Sequence, residues 1–347
     1  MTIGTLSRTG LALQLLLGWL CFCCPLFGTE STLTSAETIK QWAFTLAGDE
    51  MQGRQEGTEG AKRASEWLAA RFKELGLKPA PGQSDFFQPF SYEIQDKKVR
   101  ARNVIGYLEG SDPERRDEFI VLSAHYDHVG VNPELTDDPI FNGADDDASG
   151  TVLVMAVAKA LSESAPDKRP ARSVIFVAWA AEEVGLKGSR HYAKNPLFPL
   201  EKTVVNLNFE MVGHATKTGR RHFWMTGKSF SDLADIVVRQ AKQLDWTLVE
   251  NPFPQQKLFF RSDNISLVML EHNREKRTAR GIPAHSFTTW GGEDHYHRPH
   301  DEPQFLDYPN MAELAQLMTA VTLDVANREP WVSWKPNDQF VFERFTK

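Results

Sequence analysis

The sequence is short of cysteine. It has three, Cys21, Cys23 and Cys24, all within the first 28 residues. The rest of the chain therefore has no thiol to staple loops or to build a thiolate-ligated structural zinc site. Stability has to come from a hydrophobic core, which suffices, because a chain of roughly 300 residues buries about three quarters of its unfolded surface. Any metal site has to use His, Asp and Glu, which suits catalytic rather than structural zinc. A basic surplus is also missing: 39 Lys and Arg stand against 46 Asp and Glu, for a formal net charge of -7. Without a cationic surface to displace counterions from phosphates, nucleic acid is not an expected partner. Repeats, low-complexity tracts and linkers are absent too. Ordinary hydrophobic and charged fractions, 41% and 24%, exclude collagen, disorder and coiled coil.

Long apolar runs are scarce. The one near the start, Leu11 to Phe27, is broken by Gly18 and falls short of the ~20 apolar residues of a spanning helix. With Arg8 as the only charge before it, residues 1–28 read as a secretory leader. A retained anchor is the alternative. The expectation is a secreted or periplasmic protein with no stable membrane span after leader removal, and residues 29–347 as a single catalytic domain.

Thr34 and Glu37 form a capping box ahead of Ile39, Trp42 and Leu46 at helical spacing. A second amphipathic helix carries Ala64, Trp67, Leu68, Phe72 and Leu75 and stops at Gly76. From residue 103 onward, short β-rich runs alternate with helical segments: Phe119 to Ala124, Ser173 to Trp179, Val204 to Phe209 and Ser266 to Leu270. Runs apolar on both faces predict strands of a sheet covered by helices, an α/β fold with a mixed, mostly parallel central sheet. Ser149 to Leu161 is too apolar for a surface helix, and a last helix from about Pro309 to Ala326 shows a stripe of Met311, Leu314, Met318, Val321 and Val325.

Motifs rich in His, Asp and Glu fall at the ends of the predicted strands, where open α/β sheets place their ligands. They are His125-Tyr126-Asp127, Gly143 to Gly150 with Asp145-Asp146-Asp147, Glu182-Glu183, Asn208-Phe209-Glu210 and His295-Tyr296-His297. Singly, each is more commonly a solvated turn, a helix cap or a hydrogen-bonded loop residue. Together they supply what two adjacent divalent ions need: a bridging carboxylate, then a His and a further carboxylate for each ion, with room for water.

These motifs, with Met51-Gln52-Gly53-Arg54, Leu77-Lys78-Pro79 and Ala101 to Gly106, make the chain resemble the twenty-eighth metallopeptidase family over roughly residues 35 to 325. That family contains two-zinc aminopeptidases, with glutamate carboxypeptidase and glutaminyl cyclase as more distant relatives. The resemblance implies a zinc-peptidase fold, two Zn2+ per chain and peptide substrates with a free N-terminus. It makes His125, Asp146, Glu183, Glu210 and His297 the metal ligands, with Asp146 as the bridge and a cis peptide between Asp146 and Asp147. Glu182 is then the general base, Asp127 the carboxylate that orients the site, Tyr296 a donor to the tetrahedral oxyanion, and Arg261 with Tyr296 the substrate contacts. A surface salt bridge is the plainer role for Arg261.

Glu210 departs from the family's usual Asp, which leaves substrate preference open. His295 and His300 rival His297 as ligands. Rival functions are a one-zinc glutaminyl cyclase, a carboxypeptidase, and a binding protein that keeps the fold. Nitrogen and oxygen ligands also accept cobalt or manganese.

Overall fold

The structure is a computed structural model that describes residues 34–273, 275–337 and 339–346, with Met1 and Thr2. The rest of the expected leader lies outside the described residues. Contacts divide the chain at Ser31 and Thr32, and every helix and strand named here belongs to the second unit.

Helix α1 (Ala36–Leu46) begins one residue later than the expected box: Ser35, not Thr34, caps it, its hydroxyl accepting from Thr38 N at 3.1 Å. Thr34 is drawn away because its hydroxyl donates to the Ala156 carbonyl at 2.9 Å. Helix α2 (Glu59–Glu74) ends as its glycine predicts. Gly76 takes φ 75°, Leu77 N reaches Phe72 O and Gly76 N reaches Lys73 O, both at 3.0 Å, so the last carbonyls are satisfied. Helices α3 (Gly150–Ser162), α4 (Lys187–Lys194), α5 (Leu233–Gln243), α6 (Asn264–Val268) and α7 (Tyr308–Asn327) come later in the chain.

Nine strands among the described residues make the central sheet. They are β1 (Lys78–Pro79), β2 (Phe87–Ile94), β3 (Lys97–Leu108), β4 (Phe119–His125), β5 (Ser173–Trp179), β6 (Thr203–Phe209), β7 (His222–Met225), β8 (Thr247–Leu248) and β9 (Ala284–Thr288). The order is β1-β3-β5-β4-β6-β9-β7-β8, with β2 on β3. Pairings β5-β4, β4-β6 and β6-β9 at the centre are parallel, whereas β1, β2, β3 and the β9-β7 pair are antiparallel. The fold is thus the expected α/β class.

Alternation in the central strands shows why they are apolar throughout. Ile120, Leu122, Ala124, Val174, Phe176 and Ala178 face the core under α1, α2, α3, α5 and α7. Phe119, Val121, Ile175, Val177 and Trp179 face the second core, under α4 and α6. The stripe Met311, Leu314, Met318, Val321 and Val325 of α7 is fully buried in the first core.

Ser266 to Leu270 is not a strand. It lies largely in α6, whose amides bond locally, Ser266 N to Asp263 O at 3.1 Å and Met269 N to Ile265 O at 3.0 Å. The place beside β6 belongs to β9, whose sequence Ala-His-Ser-Phe-Thr carries no continuous apolar run. Its polar side chains are tolerated because they are paired: Ser286 Oγ donates to Asn264 Oδ1 at 3.0 Å, and Asn208 Nδ2 donates to Ser286 Oγ at 3.1 Å. His285, fully buried, sits between Ser231 Oγ at 2.7 Å and Thr226 O at 2.8 Å.

Burial lowers the His285 pKa to about 4, against a weaker raising contribution from the Thr226 carbonyl. An unfolded His titrates near 6.5. Between these values the unfolded chain binds the proton and the folded chain does not. The stability linked to His285 is therefore complete above pH 6.5 and lost as pH falls toward 4, about 3 kcal/mol in all. An NMR titration should find the ring neutral at pH 5.5; a protonated ring at that pH would contradict this.

Candidate metal centre

Three strand ends converge on one side of the sheet. His125 is the last residue of β4, Glu182 and Glu183 follow β5, and Glu210 follows β6. The Asp145-Asp146-Asp147 run opens the turn that leads into α3, with a cis peptide between Asp146 and Asp147. His297 comes from the loop before α7. Ala181, Met211 and His297 have φ of 58°, 50° and 52°. Left-handed backbone of this kind at non-glycine residues clusters where a site constrains the chain.

The two oxygens of Asp146 face two separate sets of donors. Oδ1 lies 3.2 Å from His125 Nε2, which is 3.3 Å from Glu210 Oε1. Oδ2 lies 3.2 Å from His297 Nε2, which is 3.0 Å from Glu183 Oε2. Two donors each ~2.0–2.2 Å from one tetrahedral ion stand roughly 3.3 Å apart. Asp146 Oδ2 and His297 Nε2 are buried yet have no hydrogen-bond partner. Close approach without hydrogen-bond geometry is what donors show when aimed at a common point. The residues fit divalent ions, and an all-nitrogen-and-oxygen set suits catalytic zinc.

The surroundings fix these donors. His125 Nδ1 is 3.1 Å from the Asp127 carbonyl, leaving Nε2 free to face inward. The Asp127 carboxylate accepts from Glu182 N at 3.0 Å and Glu183 N at 3.3 Å, tying the β4 loop to the β5 loop. Ser262 donates its hydroxyl to Glu210 Oε2, so the longer carboxylate at this position is held at both oxygens. Asp147 also lies near His125 and Glu210, but its oxygens are taken by main chain: His125 N on Oδ2, Gly150 N and Met211 N on Oδ1. It is an anchor for the turn, and burial and then Glu210 hold its pKa up.

Of the rival histidines, His295 points to Asp145 Oδ2 at 2.9 Å and stacks on His214. His300 is 3.9 Å from the exposed Asp294. Of these three histidines only His297 joins the Asp146 and Glu183 group. Tyr296 is partly exposed and stacks on His297, centroids 4.0 Å apart. Arg261 is exposed and makes no ion pair among the described residues, so the salt bridge weighed for it is absent.

A cavity of about 150 Å³ is lined by Asp146, Glu182, Glu183, Glu210, Arg261 and Tyr296, with Met211, Trp224 and Trp290 as its apolar wall. Burial raises the Glu182 pKa well above the usual carboxylate range; His125 opposes this, and Glu210, Asp263 and Glu183 add to it. Burial alone would lower the His297 pKa, but Asp146 and Glu183 outweigh it and hold it at about 10.

Sequence reasoning gave no role to three residues here. His128, buried, has Nδ1 2.9 Å from Glu183 Oε1 and 3.9 Å from Asp146 Oδ2, and an unpartnered Nε2. Its signal was its place directly after Asp127. Asp301 accepts the Asp145 and Asp146 amides on its two oxygens, at 2.8 and 3.1 Å. Arg54, wholly buried, donates to four carbonyls: Tyr126 at 2.6 Å, Leu46 at 2.9 Å, Asn142 at 2.6 Å and Gly143 at 2.8 Å. It links the β4 loop to the loop that carries Asp146.

The profile of peptidase family M28 matches residues 103–322. Aminopeptidase YwaD of Bacillus subtilis is 25% identical over 66% of this chain and 46% of its own length. A glutamate carboxypeptidase 2 homolog of Caenorhabditis briggsae is 35% identical over 33% of this chain and 14% of its own. The chain thus spans less than half the length of these curated relatives. Among solved structures, an aminopeptidase from Aneurinibacillus sp. strain AM-1 superposes with TM-score 0.64 at 15% identity, covering 91% of this chain and 99% of that one. Porphyromonas gingivalis glutaminyl cyclase does so with 0.62 at 20%, covering 83% and 98%. These structural likenesses carry the fold. With the family profile covering β4 to β9 and every candidate ligand, the chain belongs to peptidase family M28.

Proposed function

We propose that the chain is an exported aminopeptidase that removes N-terminal residues from peptides, using two zinc ions and Glu182 as general base. The observation that carries this is the pair of Asp146 oxygens, each facing its own histidine and terminal carboxylate. In this reading, His125 and Glu210 would hold one ion, Glu183 and His297 the other, and Asp146 would serve both, within one catalytic domain from residue 29 to 347 behind a leader at 1–28. Among the described residues no helix is long and apolar enough to cross a membrane.

Zinc bound there supplies Lewis acidity to the scissile carbonyl and brings the pKa of water down to about 7. Glu182 accepts the proton of the attacking water and returns it to the leaving amine. Asp127 keeps Glu182 and Glu183 in place through their amides. Tyr296 donates toward the oxyanion, and Arg261 contacts substrate. The apolar wall of Met211, Trp224 and Trp290 suits an apolar first side chain.

The leaderless protein with zinc should cleave a leucine-initiated dipeptide with a free amine and leave its N-acetylated form intact. Equal cleavage of both would rule out an aminopeptidase. A one-zinc cyclase is the second reading, disfavoured by a complete His125 and Glu210 side.

Zinc binding should also displace a proton, because His297 near pKa 10 is protonated in the metal-free protein at neutral pH. Affinity should fall by about tenfold per pH unit below neutrality for each proton displaced. Calorimetry in buffers of different ionisation enthalpy measures the number released, and zero would contradict the arrangement.

A further inference from the structure

A second concavity, of about 1410 Å³, shares Gln256, Leu258 and Arg261 with the metal-site cavity. The two therefore adjoin, and a peptide whose first residue lies at the metal centre has this larger groove within reach of its later residues. The groove is lined by Phe259, Phe260 and Phe340 and by a surplus of cations. Arg190 and Lys194 come from α4, Lys257 and Arg261 from the segment between α5 and α6, and Arg277 from beyond α6. Among the described residues none of these five takes part in an ion pair. The acidic lining residues, Glu250 and Asp235, are already committed, to Lys228 and to Lys335.

This surplus runs against the chain's own net charge of -7. It is local, beside the catalytic cavity, and too short-ranged to recruit a nucleic acid to an otherwise acidic protein. Uncommitted cations beside low-dielectric aromatic walls attract carboxylates.

Resting on the aminopeptidase reading above, we propose that the groove is the subsite for the peptide downstream of the scissile bond, and that it selects substrates with Asp or Glu near the third and fourth residues. Exposed ion pairs are individually weak, so the selection comes from several acting together. Two or three such pairs multiply to about a tenfold preference. The effect is on binding, so it enters through KM, and it is screened by salt.

The test uses leucine-initiated tetrapeptide amides that differ only at the third and fourth positions: Leu-Gly-Asp-Asp, Leu-Gly-Ser-Ser and Leu-Gly-Lys-Lys. At low ionic strength kcat/KM should be about tenfold higher for the Asp-Asp peptide than for the Lys-Lys peptide, mainly through KM. The ratio should shrink in about 0.5 M NaCl, where the screening length falls well below that at physiological ionic strength. In the variant Arg190→Ser/Lys194→Ser/Lys257→Ser/Arg277→Ser, which leaves only Arg261 of the five, the ratio should fall to within about threefold. A ratio of rates within one preparation is insensitive to partial misfolding. Equal rates on all three peptides, with leucyl dipeptide still cleaved, would overturn the subsite and leave the aminopeptidase reading intact. A preference that survives in that variant would overturn the assignment to this groove. No turnover of any free-amine peptide would overturn both.

Discussion

Glu182→Gln should lower kcat for a leucyl dipeptide by about 10²–10⁴-fold while the protein keeps its full zinc content. The two outcomes separate because Glu182 and Glu183, though adjacent, face different tasks. Glu183 lies 3.0 Å from His297 and 2.9 Å from His128, and stands with them and Asp146 in one cluster of donor atoms. Glu182 is outside each such cluster, with its side chain on the cavity and its amide held by Asp127. Glutamine keeps its shape and its main-chain bond but cannot accept the proton. Glu183→Gln should instead release metal, and activity should follow metal content. If Glu182→Gln retained near-normal turnover, the base would have to be sought elsewhere, with His128 the first candidate.

Arg54→Met should be the most destabilising single change near the site, on the order of 3–5 kcal/mol, the loss typical of breaking a buried charged network. The guanidinium is wholly buried and carries bonds to four carbonyls from three separate stretches of chain. Removal leaves those oxygens in a dry interior. Burial lowers its pKa to about 10, and Asp301, Asp127 and Asp146 counter this, so it remains charged at neutral pH. Its loss therefore also removes the cation that offsets the carboxylates of the metal centre. Urea denaturation should show a lower midpoint with an unchanged slope, and zinc affinity should fall in parallel. A variant as stable as the parent would mean that water satisfies the four carbonyls.

How much of the fold is legible in the sequence depends on which interactions are local. Ser173 to Trp179 is readable because both of its faces meet apolar layers, so the run itself is apolar. Ala284–Thr288 occupies an equally central place but hides, since its buried face is satisfied by Asn208, Asn264, Ser231 and Thr226, partners far away in the chain. Ser266 to Leu270 misleads for the converse reason: an apolar run of that length fits a short buried helix as well as a strand. Gly76 is legible because a helix stop is a local event.

The candidate ligands were legible through family resemblance, since single His and Asp residues carry little signal, and the geometry then separates His297 from His295 and His300. The roles of Arg54 and Asp301 stayed hidden in a different way. Each acts by holding main-chain atoms of other segments, and no periodicity or spacing marks a residue whose partners are carbonyls and amides. His128 was overshadowed by the motif it extends.

The central claim is that two metal ions act together at Asp146. Its most direct test is to strip the protein with a chelator and follow dipeptide hydrolysis and bound zinc as zinc is added back. The account predicts that activity continues to rise until two ions are bound per chain, and that His125→Ala removes one ion and most of the activity. Full activity at one bound ion, unaltered by a second, would contradict it.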